Sequence, residues 1–317
     1  MERTHMTRIA VTSRSFSRHP ILRAELLARH DHVTFNDEGL SLKGDALVDF
    51  LKGHQKAITA LEVLNDDVFN QVPELKTIAK YGVGIDMLDL AAMRKHHVKL
   101  GWTKGVNKRS VSELVISFAI ALLRHVPYAQ SEVLANRWRQ HIGLQLSQRT
   151  VGILGCGFVG KDLAILLRAF GCRVLAHDIL DFPDFYQTHN VEPVDLKTLL
   201  STADIVTVHL PLDDSTRNIL NTDRLALLRP EAILINAARG GMVDETALKE
   251  RLKSGQLAGA AFDVFATEPP EDMELLNLPN FLVTPHIGGS AEEAILAMGR
   301  AAIQGLDNAT LPALDLC

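Results

Sequence analysis

Short apolar runs alternate with amphipathic, helix-like segments along almost the whole chain. The runs that predict strands lie at 8–12, 32–35, 57–60, 75–79, 98–101, 150–154, 173–177, 205–209, 232–236, 258–262 and 281–284. They are short and continuously apolar, as expected for parallel strands buried on both faces. Helical patterns such as 19–29 and 87–97 separate them. The alternation predicts an α/β fold with two doubly wound parallel sheets.

The segment 110–124 differs from the other helical patterns because it is long and mostly apolar. This composition predicts a helix that is buried between domains or subunits. Gly171 and Gly255 stand where helices are expected to end, because glycine is favoured at helix C-termini. The length of 317 residues favours two domains, since single cores stop growing near that size.

Composition and charge narrow the choice of partners. The chain is 47% hydrophobic and 22% charged, as in an ordinary globular protein, and its net charge is −5. This charge disfavours nucleic acid and anionic membranes as partners. Three cysteines without a CxxC spacing favour a reducing compartment and no structural metal. We expect a cytoplasmic protein, because no apolar run approaches the roughly 20 residues of a membrane span.

The segment Gly155-Cys156-Gly157-Phe158-Val159-Gly160 follows a predicted strand and opens a helical stretch. A second apolar run at 173–177 then ends in Asp178. Strand, glycine turn, helix, strand and acid occur in the order of a dinucleotide-binding unit. Gly155 permits the tight turn, Gly157 the approach of a pyrophosphate, and Gly160 close packing of helix on strand. Asp178 would accept hydrogen bonds from a ribose 2′-hydroxyl and repel a 2′-phosphate, so NAD is favoured over NADP.

Three charged or titratable residues follow predicted strands in the last third of the chain. Arg239 lies in Asn-Ala-Ala-Arg-Gly-Gly, Glu268 in Thr-Glu-Pro-Pro, and His286 in Thr-Pro-His-Ile-Gly-Gly. Ligands bind at the carboxyl ends of strands in doubly wound folds. An arginine holds a carboxylate, an imidazole moves a proton, and a carboxylate orients the imidazole, as hydride transfer to an oxo acid requires. Taken singly, each also has an ordinary explanation, namely a surface ion pair, a solvated acid or a core histidine.

Several motifs together resemble the D-isomer-specific 2-hydroxyacid dehydrogenases. They are 155–160 with Asp178, 209–212, 236–241, 263–270 and 285–289, and the resemblance extends to 80–86 and 107–113. It implies a flavodoxin-like catalytic domain at 1–104 and 286–317, with a Rossmann-type NAD-binding domain at 105–285 inserted into it. The active site would lie in the cleft between these domains. The helix from Ser110 and Trp138 would help to build a homodimer interface.

The resemblance also implies a role for individual residues. Arg239 would bind the substrate, His286 would be the acid/base, Glu268 its partner, and Asp263 a contact to the nicotinamide carboxamide. The substrate-binding set is Val83, Gly84, Lys80, Arg239 and His286, with the backbone amides of Val83 and Gly84 receiving the substrate carboxylate. The cofactor-binding set is Gly155, Gly157, Phe158, Val159, Gly160, Asp178, His209, Pro211, Thr216, Ala237, Arg239, Asp263, His286 and Gly288. No metal is expected.

The chain looks most like the phosphoglycerate dehydrogenase branch of this family at 11–16 and 81–86, yet departs from it elsewhere. Those enzymes place arginine after the third strand to hold a phosphate, whereas this chain has Leu61-Glu62-Val63 there. Glu62 would repel a phosphate, so we favour an unphosphorylated 2-hydroxy or 2-oxo acid. Leu61, Val63 and Tyr81 hint at a partly apolar substrate pocket. A D-3-phosphoglycerate dehydrogenase without a regulatory domain is the alternative.

Two other readings stay open at this point. A related branch oxidises formate or phosphite, and the ordinary Tyr-Gly-Val-Gly loop at 81–84 argues against it. The same fold also serves as an NAD-sensing, corepressor-like module that binds protein partners. Turnover of an oxo acid would separate an enzyme from such a binding module.

Overall fold

The chain divides into two compact units in the computed structural model, which describes residues 6–314. Unit 1 comprises Met1–Asn107 and Glu292–Cys317, and unit 2 comprises Lys108–Ala291. The predicted boundaries after residues 104 and 285 therefore move to 107 and 291. The second shift has a clear cause, because the backbone N–H of His286 donates to Asp263 O at 2.9 Å. This bond ties the His286 loop to unit 2.

The predicted alternation of strands and helices is confirmed over the described residues. The strands are β1 Ile9–Val11, β2 Val33–Phe35, β3 Lys56–Thr59, β4 Thr77–Lys80, β5 Lys99–Gly101, β6 Thr150–Leu154, β7 Arg173–His177, β8 Val191–Pro193, β9 Ile205–Val208, β10 Ile233–Asn236, β11 Gly259–Phe262 and β12 Phe281–Val283. The helices are α1 Arg14–Arg18, α2 Pro20–Leu27, α3 Gly44–Leu51, α4 Asp66–Gln71, α5 Leu90–Lys95, α6 Lys108–Leu123, α7 Val126–Leu134, α8 Phe158–Ala169, α9 Pro183–His189, α10 Leu196–Thr202, α11 Thr222–Leu225, α12 Glu245–Lys253, α13 Met273–Leu276 and α14 Glu292–Asn308.

Unit 1 is built on a five-stranded parallel sheet in the order β2-β1-β3-β4-β5. Strands β1, β3 and β4 are almost entirely buried, which explains why they read as continuous apolar runs. The last helix, α14, returns to this sheet and packs against β3, β4 and β5. The N-terminal and C-terminal segments therefore share one core.

A glycine pair allows α14 to lie directly on the edge of this sheet. A Cβ atom at Gly101 would lie 2.1 Å from the carbonyl oxygen of Gly305, so neither strand nor helix has room for a side chain there. Interiors are packed at the density of organic crystals, and a methyl group in such a contact must push the backbones apart.

Unit 2 is built on a seven-stranded parallel sheet in the order β12-β11-β10-β9-β6-β7-β8. The strand order reverses between β6 and β9, which makes a topological switch point of the kind where doubly wound sheets bind ligands. Sequence patterns predicted six of these strands and missed β8, a three-residue edge strand that ends in Pro193.

Helix α6 fills the role of a core helix of unit 2. It packs on α8, β10 and β11, and Val115, Phe118 and Ala119 are buried there. We expected this apolar helix to be buried between domains or subunits. On this face it is instead buried in the core of its own unit.

Among the described residues no single helix is long and apolar enough to cross a membrane. Helices α6 and α7 reach that length and composition only when they are taken together, and they are bent by 59° where they join.

We predict that Gly101→Ala destabilises the protein by about 3 kcal/mol, because the added methyl group overlaps the backbone of α14. Urea unfolding followed by circular dichroism measures the effect. Ala91→Ser, which adds one atom at an exposed position of α5, should change stability by less than about 1 kcal/mol. Equal stability of the two variants would contradict the proposed packing of α14 on β5.

Candidate active site

The glycine loop after β6 has the geometry that each of its glycines predicts. Gly155 has φ +98°, and a Cβ there would lie 2.6 Å from the carbonyl oxygen of His209. A Cβ at Gly160 would lie 2.1 Å from the carbonyl oxygen of Gly155, so this glycine permits close packing of α8. A Cβ at Gly157 would meet nothing within 4 Å. This open space at the N-terminus of α8 is where a pyrophosphate is expected.

Asp178 follows β7 and is anchored to the glycine loop. Its Oδ2 accepts a hydrogen bond from Cys156 N–H at 2.6 Å, and its Oδ1 accepts one from Leu180 N–H at 2.9 Å. Each carboxylate oxygen retains a lone pair for a further donor, such as a ribose hydroxyl. The next two residues, Ile179 and Leu180, are 94% and 61% exposed and carry no charge to bind a 2′-phosphate. The loop and the acid fit NAD.

The loop after β9 is held by its own side chains. Thr216 Oγ1 donates to Pro211 O at 2.6 Å and accepts from Asp213 N–H at 2.8 Å, so Thr216 shapes the turn. His209 Nε2 lies 2.8 Å from Thr207 Oγ1, and burial lowers the pKa of His209 to about 3. His209 is therefore neutral at physiological pH, which supports the expected structural or nucleotide-lining role rather than acid–base work.

The three predicted catalytic residues follow three neighbouring strands of unit 2. Arg239 comes after β10, Glu268 after β11 and His286 after β12, and these strands are adjacent in the sheet. Parallel strands bring their carboxyl ends to one edge, so the three loops begin side by side.

His286 and Glu268 form a hydrogen-bonded pair. The distance from His286 Nδ1 to Glu268 Oε2 is 2.9 Å, and their side chains are 46% and 41% exposed. The other oxygen of Glu268, Oε1, accepts from Phe265 N–H at 3.1 Å, which fixes the carboxylate on its own turn. With Nδ1 engaged in this way, Nε2 is the ring atom available to exchange a proton with a ligand.

Asp263 follows β11 and holds the loop of His286. Its side chain is only 1% exposed and accepts from Thr284 Oγ1, Ile287 N–H and Gly288 N–H at 2.5, 2.7 and 2.7 Å. The carboxylate thus anchors the loop that carries His286, whose φ of +55° is unusual for a residue with a side chain. The assigned contact to a nicotinamide carboxamide stays a prediction.

Arg239 stands on a loop that is fixed from below by Asn236. This buried amide donates to Arg239 O at 2.9 Å and accepts from Ala238 N–H at 3.2 Å. The guanidinium of Arg239 donates to Ala238 O at 2.7 Å. Asn236 carries no predicted role, although its place at a strand end before Arg239 is the signal that could have found it.

Ser110 connects helix α6 to the His286 loop. Its Oγ donates to Gly288 O at 2.6 Å, and Val111 lies beside Gly288 at the same end of α6. The sequence pattern places Ser110 at the start of the long apolar helix. The structure shows that it also fixes the Gly288 end of the His286 loop.

The predicted substrate residues Lys80, Val83 and Gly84 lie after β4 in unit 1. Lys80 is 3% exposed, and its ammonium group donates to Ala60 O in the loop after β3. Val83 O accepts from the indole N–H of Trp102 at 2.9 Å. These bonds order the carboxyl edge of the unit 1 sheet, where the loops after β3 and β4 meet.

Among residues 6–314 no group of three or more His, Cys, Asp and Glu side chains could hold a metal ion. His96 Nε2 donates a hydrogen bond to Asp66 Oδ1 at 2.7 Å. Lys95 contacts the same carboxylate, so this histidine belongs to a surface ion-pair group.

The fold and the site define unit 2 as a dinucleotide-binding domain of the doubly wound class. The family model for "D-isomer specific 2-hydroxyacid dehydrogenase, NAD binding domain" matches residues 116–288, more than half of the chain. The chain therefore belongs to the D-isomer-specific 2-hydroxyacid dehydrogenase family, and NAD is its cofactor. The resemblance that the motifs predicted is confirmed.

Relatives extend the likeness beyond unit 2. The D-3-phosphoglycerate dehydrogenase of Bacillus subtilis is 37% identical over 235 residues, which cover 74% of this chain and 45% of that protein. The hydroxypyruvate reductase of Thermotoga maritima is 36% identical over 242 residues, covering 74% of this chain and 77% of that protein. The chain spans about half the length of the phosphoglycerate dehydrogenases that it matches.

Solved structures share the fold. A protein from a Polaromonas species, described as a D-isomer-specific 2-hydroxyacid dehydrogenase, superposes with a TM-score of 0.87 and 29% identity. The superposition covers 95% of this chain and 96% of that one. The predicted α/β fold with two parallel sheets is confirmed.

Two substitutions in the glycine loop should separate cofactor binding from packing. Gly157→Ala is expected to weaken NADH binding roughly tenfold or more, because its methyl group enters the space for the pyrophosphate, and to change stability by about 1 kcal/mol or less. Gly160→Ala should instead cost about 3 kcal/mol of stability, because its methyl group overlaps Gly155 O. NADH fluorescence titration and urea unfolding measure the two effects. Unchanged NADH affinity in Gly157→Ala would contradict this placement of the cofactor.

Proposed function

We propose that this protein is an NAD-dependent oxidoreductase that interconverts a D-2-hydroxy acid and its 2-oxo acid. The observation that carries the proposal is the His286–Glu268 pair, 2.9 Å apart, with Glu268 on the loop next to that of Arg239. Both residues belong to the unit that contains the NAD-binding glycine loop. Bound NAD would supply or accept the hydride at its nicotinamide ring.

His286 is the proposed acid/base of this reaction. Its Nε2 would donate a proton to the carbonyl oxygen during reduction and remove it from the hydroxyl during oxidation. Glu268 would hold the ring through Nδ1 and so fix the direction in which Nε2 points.

Arg239 is the proposed anchor of the substrate. A guanidinium can hold a carboxylate by two parallel hydrogen bonds and polarise the neighbouring carbonyl, which a lysine cannot reproduce. Asn236 and the rigid loop around Arg239 would hold that group ready for binding. Val83, Gly84 and Lys80 are proposed as further substrate contacts on unit 1.

The remaining residues of the predicted cofactor set are proposed contacts of NAD. Asp178 would bind the adenosine ribose, and the turn shaped by Thr216 would border the dinucleotide. Proposed contacts from the other loops are Phe158, Val159, His209, Pro211, Ala237, Asp263 and Gly288.

The cytoplasmic location of the protein stays a prediction.

The loop after β3 supports an unphosphorylated substrate. Glu62 Oε2 accepts a hydrogen bond from Ala60 N–H at 2.7 Å. A carboxylate therefore lies on the loop where phosphoglycerate dehydrogenases are expected to carry a phosphate-binding arginine. Its neighbours Leu61 and Val63 are 76% and 62% exposed, and both are apolar. Such a loop favours an oxo acid with an uncharged or apolar side chain over a phosphorylated one.

A phosphorylated substrate is the second candidate, and the relatives favour it. Several of them, from Bacillus subtilis to Rattus norvegicus, are named D-3-phosphoglycerate dehydrogenase. Lys80 also argues for a phosphorylated substrate, because its ammonium group is a positive charge at the carboxyl edge of the unit 1 sheet.

Unit 2 also carries a surface that supports the proposed homodimer. Leu134, Trp138 and Ile142 are 76%, 86% and 97% exposed, which is unusual for side chains of this size. A cavity of about 360 Å³ opens at the amino ends of β10, β11 and β12, lined mostly by apolar groups such as Leu122, Ile233 and Phe281. We propose that a second copy of the chain covers this surface.

Turnover tests the proposed reaction. NADH consumption should be rapid with at least one unphosphorylated acid from a panel of glyoxylate, hydroxypyruvate, pyruvate, branched and aromatic oxo acids, and slow with NADPH. Relative to wild type, His286→Ala should lower kcat/KM roughly 1,000-fold and Arg239→Lys roughly 100-fold. NADH affinity should fall far less than kcat/KM in both variants, because most residues of the predicted cofactor set are unaltered.

The control is His32→Ala, which alters an exposed histidine of unit 1 and should keep full activity. Turnover of 3-phosphohydroxypyruvate alone would contradict an unphosphorylated substrate and support the phosphorylated one. NADH binding without turnover of any acid would contradict the proposed oxidoreductase activity and favour an NAD-sensing module that binds protein partners.

Trp138→Ala should convert a dimer into a monomer, because the exposed indole is the largest apolar group of the proposed interface. Light scattering after size-exclusion chromatography should give twice the 34.9 kDa of one chain for wild type and a lower mass for the variant. Met273→Ala, a change at a 61% exposed methionine of α13, should remain dimeric. A monomeric wild type would contradict the homodimer.

A further inference from the structure

The loop that carries Glu268 is tied to helix α12 by a second carboxylate. Ala266 N–H donates to Glu245 Oε1 at 2.9 Å, whereas the preceding N–H, that of Phe265, donates to Glu268 Oε1 at 3.1 Å. Two successive backbone N–H groups thus serve two different acids. One bond shapes the turn from within, and the other fastens the turn to the rest of unit 2.

The same peptide unit is pressed against the loop of Arg239. A Cβ at Gly240 would lie 1.8 Å from Phe265 O and 2.5 Å from Ala266 N, so the two backbones are in direct contact. Gly240 is the residue next to Arg239. The position of this one peptide therefore sets the spacing between the proposed substrate-binding loop and the loop of Glu268.

Glu245 is itself held firmly. It is the first residue of α12, and the preceding Asp244 caps this helix by accepting from Ala247 N–H at 2.9 Å. Its carboxyl group lines a cavity of about 160 Å³ under the 266–272 segment. Burial raises the pKa of Glu245, Asp272 adds to this, and the Ala266 N–H opposes it. A partly buried acid has lost solvation, and the bond to Ala266 offsets part of that loss.

We propose that Glu245 is a positioning residue for the acid–base pair. It holds the 265–268 turn against the Arg239 loop, so that Glu268 Oε2 stays 2.9 Å from His286 Nδ1 and the imidazole stays oriented. The inference rests on the proposed function, since it gives Glu245 a part in the same reaction. The role is indirect, because Glu245 acts through Ala266 and Glu268 and does not contact a reacting atom.

A double-mutant cycle between Glu245 and Glu268 tests this role. Glu245→Ala removes the acceptor of the Ala266 N–H and should lower kcat/KM for the oxo acid roughly 10- to 100-fold, because small displacements of a catalytic pair are costly. Glu245→Gln retains an acceptor oxygen and should stay within about threefold of wild type. In the Glu268→Gln background, Glu245→Ala should have almost no further effect, because the group that it positions is already altered.

The split of the loss between kcat and KM separates positioning from a loss of stability. In Glu245→Ala the loss should fall on kcat, as in Glu268→Gln, whereas Glu245→Gln should keep kcat and KM near the wild-type values. Glu271→Gln removes an acid from the rim of the same cavity and should leave both kcat and KM unchanged. NADH affinity should be equal in all these variants.

Two results would overturn the inference. Additive effects of the Glu245 and Glu268 changes would show that they act independently, and equal losses of kcat in Glu245→Ala and Glu245→Gln would show an effect of charge alone. Failure of the proposed function would look different, since the wild-type protein would then bind NADH without turning over any oxo acid.

Discussion

The buried carboxylate of Asp263 is the constraint on which the site of unit 2 depends. A polar side chain that is only 1% exposed is costly unless it is hydrogen-bonded, and the Asp263 carboxyl group is held by one hydroxyl and two backbone N–H groups. All three donors belong to residues 284–288. The same bonds that satisfy this buried group therefore fix the loop of His286 in its left-handed conformation.

The order of the parallel strands explains why a few such bonds are enough to align the loops of Arg239, Glu268 and His286. Strands β10, β11 and β12 are neighbours, and each ends in a loop that carries one of Arg239, Glu268 and His286. The sheet supplies the coarse alignment, and polar contacts such as those of Asn236, Asp263 and Glu245 fix the loops above it. The glycine loop lies at the same edge, after β6, across the switch point of strand order. The proposed NAD site and the proposed proton-transfer pair thus both depend on this one edge of the sheet.

Local patterns predicted the parts of this structure that have local causes. Continuous apolar runs gave the strands, and the turn chemistry of Gly155 and Gly160 is visible in the chain because each glycine answers a steric need within a short segment. The roles of Asp263 and Glu245 were not predictable, since their partners lie about 20 residues away and are chosen by the fold. Strand β8 was missed because three edge residues give no period. The compact units divide at 107 and 291, a few residues beyond the predicted 104 and 285, and Asp263 holds residues 287 and 288 in unit 2.

The central claim is that this chain transfers a hydride from NADH to the face of the 2-carbon of an oxo acid that gives the D-isomer, while His286 delivers a proton to the carbonyl oxygen. The most direct test is a reaction of wild-type protein with NADH that is doubly deuterated at its reactive ring carbon, followed by chiral separation and mass spectrometry of the product. We expect a D-2-hydroxy acid that carries one deuterium on its 2-carbon. An L-hydroxy acid, or a product without deuterium, would contradict it.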